Sequence, residues 1–341
     1  MRRRSARVEP DVGGKWPVPL SVLDRSSVRR GEDPASAVRH TVEFARRVEE
    51  LGYHRFWVAE HHSVPGVAGS APTVLASTIA ASTSRIRVGT GGVMLPNHRP
   101  LVVAEQFGTL EALYPGRIDM GLGRSVGFTS GVRAALGADK KDADNFVQQL
   151  RDLLGYFAGA SPTHRGVHAL PAEGLRVPTF VLTTGAGART AAECGLALVI
   201  SLVSGVDRMV EHVARYRERF RPSPLWERPY VVVSTAVAVA DTPERARKLL
   251  LPEAWSLVYS RTRGVFPPLL PPDELPEPTD REAALLDEVL RGQLHGTPST
   301  VRDDLAALVE RTTADEVLVT LSTYDRGDLL DSYARLAELA R

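Results

Sequence analysis

Eight runs of apolar and β-branched residues recur along the 341-residue chain, and each is followed by a helical pattern. The runs fall at residues 19–23, 54–60, 85–94, 117–123, 179–183, 196–201, 230–240 and 316–321. They are nearly continuous in hydrophobicity rather than alternating, which is the mark of parallel strands covered on both faces. Between them, residues 34–51 put Ala37, Val38, Val42, Phe44 and Ala45 on one side of a helix. Residues 72–82 form a small-residue helix, and residues 100–114 start on Pro100 and stop at Pro115-Gly116. Further helices are predicted over about 139–158, 187–193 and 298–311. Eight strand–helix units predict an α/β chain folded as a (β/α)8 TIM barrel. An open, doubly wound sheet would carry G-x-G-x-x-G after its first strand, and Gly121-Leu-Gly123-Arg-Ser-Val-Gly127 has the wrong spacing. The barrel is expected to fill residues 17–341 as a single domain, after a disordered tail over 1–16. Insertions at its C-terminal face are expected at about 125–177 and 259–292, and the proline-dense 264–278 excludes regular structure.

Composition narrows the function. The 42 basic residues nearly cancel the 41 acidic ones, so no nucleic acid or anionic membrane surface is implied as a partner. The single cysteine, Cys194, excludes an intramolecular disulfide and reads as a structural thiol. Arg2, Arg3 and Arg4 are not followed by an apolar stretch, so no signal peptide is expected. No apolar run reaches the ~18 residues of a membrane span. A cytoplasmic protein is expected. There is no P-loop and no G-x-S-x-G elbow.

In barrels of this kind the chemistry sits at the C-terminal ends of the strands. The second run, Phe56-Trp57-Val58, ends in Glu60, His61 and His62. Neighbouring residues on a strand face opposite sides, so only one histidine is expected to face the site, and His61 is chosen. The third run holds Gly89, Gly91 and Gly92, glycines that suit a bulge or the close approach of a flat ligand. The fourth ends Gly123-Arg124, and an arginine beside a small-residue gap suits an anionic group. After the fifth, Thr183-Thr184-Gly185-Ala186-Gly187-Ala188 leads into a helix whose start could cradle a phosphate. Adjacent histidines lack the i, i+2 or i, i+4 spacing that aims two rings at one ion, so no metal is expected. Glu60, and Asp119 inside a strand, are the few carboxylates near strand ends. A hydrolase built on a carboxylate pair is disfavoured.

Together these segments resemble the bacterial luciferase-like family of flavin-dependent monooxygenases and oxidoreductases. The resemblance runs from Pro19 to the last helix and rests on four segments in order. They are Trp57-Val-Ala-Glu-His-His62, Arg85-Ile-Arg-Val-Gly-Thr-Gly-Gly-Val-Met-Leu-Pro-Asn-His-Arg-Pro100, Ala104-Glu-Gln-Phe-Gly-Thr-Leu110 and Tyr114-Pro-Gly-Arg-Ile-Asp-Met-Gly-Leu-Gly-Arg124. It implies a barrel that is usually dimeric, with His61 as the catalytic histidine and a non-proline cis peptide at Gly91–Gly92 beneath the flavin ring. It also implies Arg124 as the phosphate-binding arginine, with Gly123, Thr183, Thr184, Gly187 and Ala188 completing the cofactor site. The sequence departs from the family at Gly187 or Ala188, where relatives place a hydroxyl, and a serine at Gly187 is expected to tighten FMN.

The function expected from this resemblance is monooxygenation of a small organic substrate, such as a secondary metabolite, by dioxygen and reduced FMN. A separate reductase would supply that FMN, because no nicotinamide site appears. A deazaflavin-dependent oxidoreductase and a non-catalytic flavin-binding protein are the alternatives. A homodimer through the 72–82 helix is expected. The stretches 125–177 and 264–278 are the lid candidates.

Overall fold

The structure, a computed structural model, describes residues 16–340 apart from residues 160, 162 and 204. The tail expected over 1–16 lies outside the described residues except for Trp16, which is buried with the core.

Ten strands are present among the described residues: β1 (Leu20–Asp24), β2 (Arg55–Val58), β3 (Arg87–Thr90), β4 (Val93–Met94), β5 (Ile118–Gly123), β6 (Thr179–Thr183), β7 (Ala197–Ser201), β8 (Val231–Val239), β9 (Leu294–Gly296) and β10 (Glu316–Thr320). Every pairing between them is parallel. β1 is flanked by β10 and β2, β3 follows, then β5 to β8, and β8 pairs with β10 to close the ring. The expected (β/α)8 barrel is therefore what the chain forms. The third run is not one strand over 85–94: it breaks at Gly91–Gly92, whose peptide bond is cis, and resumes as β4 against β5. β8 outruns the ring, and its last residues pair with β9 in a separate small sheet.

Among the described residues eleven helices accompany the ring: α1 (Pro34–Leu51), α2 (Pro72–Ser82), α3 (Pro100–Leu113), α4 (Ser130–Leu136), α5 (Phe146–Phe157), α6 (Gly187–Glu193), α7 (Val206–Arg219), α8 (Pro243–Arg263), α9 (Asp280–Arg291), α10 (Pro298–Thr312) and α11 (Arg326–Leu339). Local chemistry fixes their ends. Asp33 caps α1 by accepting from Ser36 N–H at 3.0 Å, Pro34 opens it, and Gly52 closes it at φ 90°. The 125–177 insertion holds α4 and a 3-10 turn over Lys140–Asn145 before α5, where one helix over 139–158 was expected. The 259–292 stretch is not purely loop either: it takes in the end of α8 and all of α9, which starts on a capping box between Thr279 and Glu282. No described helix is long and apolar enough to cross a membrane.

The bore is filled rather than open. Trp57, Phe180, Val199, Val232 and Leu318 pack inside it, while a larger apolar layer joins the strands to the helices. At the N-terminal end lies a buried ion layer. Arg55 Nη1 bonds Asp119 at 2.8 Å and Arg55 Nε bonds Glu316 at 3.0 Å. Arg87 reaches the same Asp119 at 2.6 Å, and Tyr230 donates to Glu316 at 2.7 Å. Asp119 is thus a structural ion at the floor of the barrel rather than a group near the strand ends where chemistry sits.

Candidate active site

A cleft of about 910 Å³ opens over the C-terminal ends of the strands. That volume suits a cofactor-sized guest. Its walls include His61, Gly91, Gly92, Gly123, Arg124, Thr183, Thr184 and Gly187, so one cavity gathers nearly all the residues singled out from the sequence. Ala188 is the exception: it is 3% exposed and packs into the core. Thr190 stands at the cleft in its place and offers a hydroxyl that the sequence reading took as missing.

The β2 strand ends at Val58, so residues 59–62 are free of strand alternation, and His61 and His62 still diverge. His61 lines the cleft, with the Phe128 ring nearly parallel to it at 6.2 Å. Burial, with the Arg25 charge beside it, pushes the imidazole down to about 4. His61 is therefore neutral at physiological pH. Its Nδ1 is buried with no hydrogen-bond partner. Arg25, just past β1, is a cleft residue that the sequence reading missed, and its counter-ion is the buried Glu253 of α8.

His62 turns away from the cleft to Glu60, with Nε2 2.8 Å from Oε1. His98 Nε2 lies 2.9 Å from the other oxygen, and the Met94 N–H donates to that oxygen at 3.0 Å. Burial pushes the Glu60 carboxyl up, but these hydrogen bonds together hold it below its ordinary value. The ligand atoms of Glu60, His62 and His98 lie within 4.8 Å of one another, close enough to hold a metal ion. The spacing of His61 and His62 does not reveal this cluster, because His61 is not a member of it. His98 lies on the connection after the third run and had been read only as part of a segment.

The glycines differ in their reasons. A Cβ on Gly91 would come within 2.5 Å of Leu23, and one on Gly92 within 2.7 Å of the Gly121 carbonyl. A Cβ on Gly123 would stand in open space, 3.9 Å from its nearest neighbour, so glycine there widens the cleft. At the far end, Arg124 Nη2 pairs with Asp144 at 3.0 Å and Nε donates to the Ala143 carbonyl at 3.0 Å. The N–H groups of Gly185 and Gly187 donate to Thr183 Oγ1 at 3.0 and 2.9 Å. Those two are spent on Thr183 rather than left free to cradle a phosphate. A side chain at Gly187 would start 2.9 Å from Thr183. Serine is not accommodated there, which reverses the expected gain.

Of the two lid candidates, only the first borders the cleft, through Ser125–Phe128 and Ala143–Val147. The proline-rich stretch packs elsewhere, with Leu269 bonded to Val28 and Arg30, and the Phe266 carbonyl taking the Gly66 N–H.

Residues 19–316 match the luciferase-like monooxygenase family. The chain belongs to that family. A luciferase-like monooxygenase of Escherichia coli (strain K12) is 35% identical over 324 residues, covering 94% of each chain. The N-acetyl-S-alkylcysteine monooxygenase of Bacillus subtilis (strain 168) is 40% identical over 235 residues, 67% of this chain and 70% of that protein. The crystal structure of apo-MsnO8 superposes with a TM-score of 0.83 at 33% identity, covering 95% of this chain and 97% of that one. The chain therefore shares its barrel with solved relatives over nearly its whole length.

Proposed function

We propose that the protein is a two-component monooxygenase. It takes reduced FMN from a separate flavin reductase and uses dioxygen to oxidise a small organic substrate. The observation that carries this reading is the make-up of the cleft: a neutral histidine and the side-chain-free Gly91–Gly92 line one cavity with an arginine and three threonines. These residues fit a flavin phosphate. The open space at Gly123 gives a flat ring system room to lie against backbone. Arg124, Thr183, Thr184 and Thr190 would hold the phosphate, and Gly91 and Gly92 would face the ring.

Bound reduced flavin supplies the electrons that activate dioxygen. His61 provides a neutral imidazole at the cleft. Its buried Nδ1 has no acceptor, and orphaned buried N–H groups are rare, so the proton belongs on Nε2. His61 is then a hydrogen-bond donor that can hold a reacting oxygen atom without carrying charge. Phe128 and residues 143–147 border the cleft and would screen a bound guest from water. The relative that acts on N-acetyl-S-alkylcysteine supports a substrate of small organic character.

The test is an anaerobic titration with reduced FMN, oxidised FMN and a reduced deazaflavin, followed by oxygen. Preferential binding of reduced FMN and oxygen-dependent turnover are expected. Preference for the deazaflavin, with hydride transfer in the absence of oxygen, would replace this reading.

A further inference from the structure

We propose that Glu60, gripped by His62 and His98, is a positioning residue that fixes the Gly91–Met94 wall of the cleft relative to His61. The inference rests on the flavin reading above. The wall is tied at both ends to the end of β2. The Gly91 N–H donates to the Val58 carbonyl at 2.8 Å, and the Met94 N–H donates to Glu60 Oε2 at 3.0 Å. His61 belongs to the same span and is tied in turn by its own N–H to the Gly69 carbonyl at 2.7 Å. Residues 58–61 therefore carry both the imidazole and the two points to which the wall is tied.

A buried carboxylate holds one orientation only while its oxygens are occupied. The Glu60 side chain is fully buried. His62 Nε2 sits 2.8 Å from Oε1, and His98 Nε2 lies 3.0 and 2.9 Å from the two oxygens. Without a histidine the carboxylate could rotate and carry the Met94 bond with it. The same three groups are near enough for a metal ion, yet the contacts are those of hydrogen bonds. Ligands about 2.0–2.1 Å from a tetrahedral zinc stand roughly 3.4 Å apart, and here one oxygen also takes a backbone N–H.

The experiment uses the full-length protein with oxidised FMN as probe, and it reads affinity and the visible circular dichroism that the bound ring acquires from its surroundings. The variants are Glu60→Gln, His98→Ala and His98→Gln. A glutamine at 60 has one acceptor oxygen for the donors of His62, His98, Asn97 and the Met94 N–H, so it should weaken FMN about fivefold or more and alter the dichroism. His98 is partly exposed, so His98→Ala is expected to fold and show the same change even if the Glu60 variant does not. The amide of His98→Gln can still donate to Glu60 and should restore the parent signal. With reduced FMN and oxygen, Glu60→Gln should change the oxidation rate of the parent much more than that of His61→Ala, because the two act through one geometry. Folded variants with unchanged affinity and dichroism, or fully additive rates, would overturn the proposal while leaving the flavin reading intact. So would one equivalent of Zn²⁺ bound tightly by the parent and lost in His98→Ala. A parent that binds no flavin would remove both.

Discussion

Neutrality at His61 has a cost that appears in acid. The unfolded chain takes up a proton near the ordinary histidine value of 6.5, whereas the folded protein refuses it down to about 4. Between those values the unfolded state binds more protons, so stability is fully present above the window and falls as pH drops through it. Glu60, held below its ordinary value, loses stability in the same direction as it protonates. Melting temperature followed from pH 7 to pH 4 should decline in the parent, and the decline should be shallower in His61→Asn, whose amide does not titrate. At the phosphate end, Arg124→Ala should weaken reduced FMN roughly ten- to a hundredfold, as expected for ~1.5–3 kcal/mol of charge-assisted hydrogen bonding. Riboflavin, which lacks the phosphate, should hardly respond, and equal losses for the two ligands would take Arg124 out of the role. Gly187→Ser should weaken FMN rather than tighten it, because its Cβ would meet Thr183. The single residues were legible because a barrel brings its strand ends to one place, whatever their separation in sequence. Their partners were not. Arg25 meets Glu253 and Glu60 meets His98 only after the helices have docked, and no local pattern marks either pair.

The strand and helix periodicities that announced the barrel come from burial on both faces, so the ring was readable almost completely. The misreadings sit where burial is partial. β9 has three residues and pairs only with the overhang of β8, too short a run to display a period. α4 has no buried residue at all, so nothing apolar marks it against the surrounding loop. The break at Gly91–Gly92 divides a run whose apolar pattern continues on both sides of it, so periodicity alone does not show where the strand stops. α2 and α3 show the opposite pattern. Both bury one apolar face, yet their outer faces also carry apolar side chains: Val74, Val102 and Leu113 stand 66%, 45% and 60% exposed. Exposed apolar side chains gathered on one surface mark interfaces. A homodimer through these helices is the expected state, with a sedimentation mass near twice the 37.0 kDa of one chain. Val74→Glu with Leu113→Glu should shift that mass toward a single chain, and an unchanged mass would place the interface elsewhere.

Across the whole molecule the largest electrostatic commitment is the ion layer at the N-terminal end. Arg55, Asp119 and Glu316 come from three separate strands and are almost entirely buried. Without Arg55, Asp119 keeps Arg87, but the buried Glu316 keeps only hydroxyl donors, and an uncompensated buried charge of that kind typically costs ~3–5 kcal/mol. Arg55→Met should therefore lower the urea midpoint sharply with little change in slope, whereas a loss below about 1 kcal/mol would mean that water or a neighbour replaces the guanidinium. The aromatic filling and this layer also separate the cleft from a cavity of about 710 Å³ at the opposite face. With the bore filled, the cleft does not continue through the barrel among the described residues. A guest that settles against Gly91–Gly92 therefore comes and goes on the side of the C-terminal strand ends, and nothing passes to it from the opposite face.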